Sequence, residues 1–141
     1  MSQRIASDDA RFCIPAGKLG IGYGNSLTGA LVKRLGAGTA ADILLTAQVY
    51  TASEALARGI VQRTAAPDKF DALVANYITM ISDNAPLSAT AAKIAIRATV
   101  DDNDAAHAVA EKAFAICMRS DDYKEGRKAF AEKRKPQFQG K

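Results

Sequence analysis

The feature that most constrains this chain is where its strands fall. Arg4–Ala6, Ala10–Cys13, Gln48–Tyr50 and Ile60–Arg63 read as extended segments of three or four residues, all in the front half. A sheet made only of such pieces would leave open edges, and isolated short pairings are marginal in water. Either these strands pair with another chain, or the rest of their sheet is missing. The reading therefore points to an incomplete α/β domain.

The remainder reads as helix and punctuation. Ile14–Gly24 is glycine-rich and holds Pro15, so it is loop or irregular strand. Asn25 or Ser26 caps a helix to Leu35, which Gly36 stops, and a second helix runs from about Thr39 to Ala47. Thr51-Ala52-Ser53-Glu54 is a capping box, and Gly59 closes the short helix it opens. From Pro67-Asp68, the residues Phe70, Leu73, Val74, Tyr77, Ile78 and Ile81 follow helical spacing. Asn84-Ala85-Pro86 breaks that helix, and Ser88 is expected to cap the next, striped by Ala92, Ile96 and Val100. Asp104–Arg119 carries Ala106, Val109, Ala110, Ala113 and Cys117 on one face. Ser120 opens a last helix to about Lys133, and Lys135-Pro136 ends it. No internal repeat or low-complexity segment interrupts this order.

Composition excludes several classes. No apolar run approaches the roughly 20 residues of a membrane span, and no basic-then-apolar leader follows Met1. Cys13 and Cys117 make no disulfide framework, and no Cys/His cluster has metal-ligand spacing. A soluble, reduced, cytoplasmic protein without a metal or tightly bound cofactor is the expectation. The net charge is +4, and Asp121–Lys141 holds seven basic residues against four acidic. Such a tail can bind nucleic acid, a phosphate-bearing cofactor or an anionic surface, or simply be the solvated cationic end of a helix. No interleaving of aromatic with basic residues favours nucleic acid.

Several segments, taken in order, resemble the enoyl-CoA hydratase/isomerase (crotonase) family. Arg4–Phe12 looks like the strand and turn before that family's second catalytic loop. Pro15 and Leu19-Gly20-Ile21 resemble the loop itself. Leu31 and Gly36, Ile43–Thr46, Ser53–Leu56, Gly59–Val61, Asn84–Pro86 with Ala92-Lys93, and Asp121–Pro136 follow in the family's order. The resemblance implies the C-terminal part of a crotonase-like (ClpP/crotonase) spiral fold. Residues 1–66 would be the end of its core, and 67–141 a helical trimerisation region. Trimers, often stacked as hexamers, are the family's habit, so a homo-oligomer is expected.

The resemblance also implies what this chain lacks. The family's N-terminal half supplies both oxyanion-hole N–H groups, usually the largest catalytic contribution, together with the first catalytic glutamate. Met1, Ser2 and Gln3 stand where the family would have strand. The second glutamate follows the loop proline, and here that position is Ala16, whose methyl group can move no proton. No catalytic residue is therefore assigned, and the isolated chain is expected to be inactive in hydration. Pro15, Ala16, Ile21 and Gly24 match positions lining the acyl pocket. Phe114, Phe130 and Lys133 match positions that approach coenzyme A, often from a neighbouring subunit. An aromatic ring suits adenine, and an ammonium suits a 3′-phosphate.

Three functions follow: a truncated family member acting on acyl-CoA thioesters, an inactive CoA-binding or assembly module, or a basic-tailed protein binding anions or nucleic acid. The remaining polar candidates read as structural. His107 stands four residues before Glu111 and is expected to form a surface pair with it. Cys13 and Cys117 read as small buried thiols, and Asp8 and Asp9 as turn residues.

Overall fold

A computed structural model describes residues 3–141, so Met1 and Ser2 lie outside the described residues. The chain divides into two compact units, one running to Val74 and the other from Ala75 to Lys141.

In the first unit, β1 (Ile5–Ser7) pairs in parallel with β4 (Arg63–Ala65), with Ile5 opposite Arg63. Separately, β2 (Arg11–Phe12) pairs antiparallel with β3 (Tyr50–Thr51). Among the described residues each sheet has two strands, so each strand has one partner, as the open-edge reading expects. The fourth strand begins three residues later than the sequence suggests. The N–H groups of Ile60 and Val61 both donate to the Ala55 carbonyl, so this stretch closes the preceding helix instead of entering the sheet. Arg4 anchors that closure, its guanidinium donating to the Gly59 and Ile60 carbonyls.

Helix α1 (Asn25–Thr46) is two helices in one, because Gly36 takes a non-helical φ of 80° and ψ of 159°. The break falls where the glycine was expected to stop the first. Helix α2 (Ala52–Ala57) carries the anticipated capping box. Glu54 N–H donates to Thr51 Oγ1 at 3.2 Å, and Thr51 N–H donates back to Glu54 Oε2 at 2.8 Å. The core here is narrow: Ala6, Ala55 and Val61, with Ala10, Phe12 and Ile60 against them. Tyr50, 1% exposed, is the largest enclosed side chain. Its hydroxyl donates to Asp42 at 2.9 Å, and Arg58 lies 5.0 Å over its ring.

Helix α3 (Phe70–Ser82), after a 3₁₀ turn at Pro67–Lys69, spans the division between units and buries none of its residues fully. In the second unit α4 (Pro86–Asp101) and α5 (Asp104–Arg119) form a hairpin. Asp102 turns it with φ 46°, and Asn103 Oδ1 accepts from Ala106 N–H at 3.0 Å. Ser120 caps α6 (Asp121–Ala131), as expected, by accepting from Tyr123 N–H. Ser88 does not cap α4. Pro86 occupies the first turn, which needs no N–H there, and Ser88 Oγ lies 3.2 Å from Cys117 Sγ. The last helix ends at Ala131 rather than Lys133. Among the described residues of this unit the buried apolar ones are Ala85, Ala98 and Ala129, whereas Val109, Phe114, Ile116 and Phe130 are exposed.

Candidate functional site

The front candidate is the loop from Pro15 to Gly24. Pro15 caps a 3₁₀ turn (Ala16–Leu19), its carbonyl accepting from the N–H groups of Lys18 and Leu19 at 3.0 and 3.2 Å. Gly20, at φ 66°, reverses the chain, and Ile21 N–H then returns to the Ala16 carbonyl at 3.0 Å. Gly24 starts α1, accepting from Thr28 N–H at 3.0 Å. The four expected acyl-pocket residues thus share one loop, with Ala16 and Ile21 bonded directly. Ala16 is half-buried, while Ile21 is exposed. These residues offer shape, backbone N–H and carbonyl groups, and no side chain that can move a proton.

An open cleft of about 300 Å³ adjoins the start of this loop, lined by Arg11, Phe12, Cys13, Ile14, Leu31, Ile43 and Ile60. Cys13 is exposed rather than buried, in the loop just past β2. Its thiol donates to the Ala47 carbonyl at 3.5 Å. Asp8 and Asp9 sit in an exposed turn, where Asp8 N–H donates to Ala65 and the Asp9 carbonyl accepts from Arg11.

The second candidate is the end of α6 and the segment beyond it. Phe130 is 88% exposed on the last turn, and Phe114 is also exposed on α5. Lys133 follows with φ 53°. Around it lies an ionic network that sequence reasoning missed. Glu125 accepts from both terminal nitrogens of Arg134 at 2.6 and 2.8 Å, and from Gln137 N–H at 2.9 Å. The Arg134 hydrogen bonds are the main reason its carboxyl is held down to about 2, with the Gln137 N–H next. Arg134 also reaches Glu132 at 2.6 Å. Asp122, 3% exposed, accepts from the N–H groups of Gln139 and Gly140 at 2.7 and 2.8 Å. No helical spacing rule links residues nine or seventeen apart, so only the fold reveals these pairs.

His107 pairs with Asp102 at 3.6 Å and not with Glu111. The tight turn before α5 brings Asp102 back over the first turn of that helix. Among the described residues no group of three side chains could hold a metal ion, and no helix is long and apolar enough to cross a membrane.

The family model for enoyl-CoA hydratase/isomerase matches residues 3–141. Among curated relatives, the short-chain-enoyl-CoA hydratase of Clostridium acetobutylicum is 38% identical over 133 residues, 94% of this chain and 51% of that protein. The crotonyl-CoA hydratase of Syntrophomonas wolfei is 35% identical, over 96% of this chain and 52% of its own. Among solved structures, an enoyl-CoA hydratase from Geobacillus kaustophilus superposes with a TM-score of 0.83 at 34% identity, covering 97% of this chain and 54% of that one. One from Bacillus anthracis reaches a TM-score of 0.89 at 26% identity, covering 99% and 55%. The chain spans about half the length of the relatives it matches. Its few short strands followed by helices have the fold of the C-terminal part of a crotonase-like domain. With its whole described length matched, this chain belongs to the enoyl-CoA hydratase/isomerase family.

Proposed function

We propose that this chain binds acyl-CoA thioesters and does not by itself hydrate them. The observation that carries the reading is Ala16. It stands in an ordered proline-led 3₁₀ turn, at the position where the family resemblance puts a glutamate. Pro15, Ala16, Ile21 and Gly24 would contact the acyl group, while Phe114, Phe130 and Lys133 would meet the coenzyme A moiety. Coenzyme A enters as part of the substrate, not as a resident cofactor. A full-length protein with alanine here would run a reaction of the family that needs no carboxylate at this position, or would use another residue.

A second reading has its own support. The exposed faces of α5 and α6 favour an assembly module, with residues 67–141 joining copies into a trimer or hexamer. The nucleic-acid reading is weakened by the tail itself, where Lys124, Arg134 and Lys135 are engaged by Asp121, Glu125 and Asp83. Two cysteines unpaired with each other fit the reducing cytoplasm.

The test is thermal unfolding with and without millimolar acyl-CoA, with solution mass measured in parallel. A ligand at 100 times its Kd stabilises the native state by about 2.7 kcal/mol, a shift easily read. A clear shift, with no hydration of a short enoyl-CoA, is the expected result. No shift in a well-folded oligomer would favour the assembly reading, and measurable hydration would sink the inactivity claim.

A further inference from the structure

Helix α6 ends in a turn that normally belongs to glycine. Arg134 N–H donates to the Ala129 carbonyl at 3.0 Å, and Lys133 N–H to the Phe130 carbonyl at 3.2 Å. With Glu132 as the C-cap, these are the two bonds of a Schellman motif. Its left-handed position is occupied by Lys133, at φ 53°. Left-handed backbone costs a residue with a Cβ on the order of 1 kcal/mol or more, and glycine almost nothing. Glycine would close this helix better. What lysine adds is its side chain, which is exposed and, among the described residues, has no ion-pair or hydrogen-bond partner. Strain held at one exposed residue is a mark of ligand clamps and other functional positions.

The turn is held from the next residue. Arg134 grips both oxygens of Glu125, two turns back in α6, and its Nε bonds Glu132 on the other side of Lys133. Bidentate guanidinium–carboxylate contacts fix orientation as well as distance. Glu125 also accepts Gln137 N–H, so the chain is tied down beyond the turn as well.

We infer that Glu125 and Arg134 are positioning residues: their paired contacts lock the turn that presents the Lys133 ammonium, three residues past exposed Phe130, to the 3′-phosphate of coenzyme A. This inference rests on the CoA-binding reading above. It adds that the specificity for the phosphate is set by a carboxylate that never touches it. Loss of the pair frees the Lys133 backbone to leave the strained conformation, and the ammonium is then no longer held in place.

The experiment titrates coenzyme A and 3′-dephospho-coenzyme A calorimetrically into the full chain and its Glu125→Gln, Glu125→Asp and Lys133→Gly variants. Wild type should prefer coenzyme A by about tenfold, the size of one charge-assisted contact. Glu125→Gln should lose most of that preference while its affinity for the dephospho form stays unchanged, and Glu125→Asp should recover part of it. Lys133→Gly should lose the preference yet melt at a higher temperature, which separates positioning from simple stability. Should Glu125→Gln fail to fold, Lys133→Gly still decides: unchanged preference, or a lower melting temperature, overturns the inference. Unchanged preference in a folded Glu125→Gln variant overturns the positioning role alone. Absence of any coenzyme A binding by wild type overturns the CoA reading, and this inference with it.

Discussion

Gly36 and Gly38 stand two residues apart in α1 and obey opposite rules. Gly36 sits at φ 80° and ψ 159°, a region essentially reserved for glycine, whereas Gly38 is ordinary helix. Neither has an atom within 4 Å of where a Cβ would go, so conformation alone separates them. Gly36→Ala should destabilise the protein by about 1–3 kcal/mol in urea unfolding. Gly38→Ala should stabilise it by about 0.4–1 kcal/mol, because it restricts the unfolded chain without straining the folded one. Equal effects at the two sites would mean that the break at Gly36 does not persist in solution. Ile43 is a residue of another kind, one of three buried apolar residues larger than alanine among the described residues. Ile43→Ala should cost about 2–5 kcal/mol.

At the scale of elements, α2 depends on its cap. It has six residues, too few to stand alone, and Thr51 satisfies its first N–H groups reciprocally with Glu54. Thr51→Ala should cost about 1 kcal/mol. The segment after α6 depends on carboxylates instead. Glu125 is held from an ordinary 4.5 down to about 2. Its stabilising contribution is therefore complete above pH 4.5 and is lost as pH falls toward 2. Protection of the Gln137 amide against hydrogen exchange should fall through that window, with the amides inside α4 still protected. A Gln137 amide unprotected already at pH 7 would deny the Glu125 bond.

Elements such as α2 and the start of α6 were legible in the sequence because their signals are local: a hydroxyl three residues before a carboxylate, a serine opening the last helix. The break at Gly36 was legible for the same reason. What stayed hidden was set by distance. Ile60 and Val61 have β-branched side chains and an extended look, yet their N–H groups are captured by Ala55. Cys13 read as a core thiol because nothing local says that its loop lies at the surface. At the candidate site, the loop from Pro15 to Gly24 was recognisable by resemblance, but the Glu125–Arg134 pair joins residues nine apart across a turn and obeys no periodicity.

For the molecule as a whole, 29 alanines explain why so little is enclosed. Among the described residues, eight of the eleven buried apolar ones are alanine, while Leu45, Val49, Ile78, Val109, Ile116 and Phe130 all face outward. Scattered exposed apolar residues are ordinary, but this number on a chain of 141 residues exceeds what a lone soluble domain tolerates well. Sedimentation at micromolar concentration should therefore give a multiple of 14.9 kDa. A paired Val109→Lys and Ile116→Lys variant should shift it toward the single-chain mass; a single-chain mass for the unmodified protein would refute the prediction.

The pairing of β1 with β4 has a consequence for how the chain is made. Ile5 meets Arg63, a partner 58 positions later, and among the described residues β1 pairs with β4 alone. At roughly 5–20 residues per second, a ribosome needs on the order of 3–12 seconds to deliver that partner. β1 therefore waits for β4 through the synthesis of α1, β3 and α2, whereas α4 and α5 meet almost as soon as both emerge. Contacts this far apart in sequence also form late in refolding. During synthesis the β1–β4 ladder is a late contact, and a nascent-chain binding factor would have seconds to act on β1 before that ladder closes.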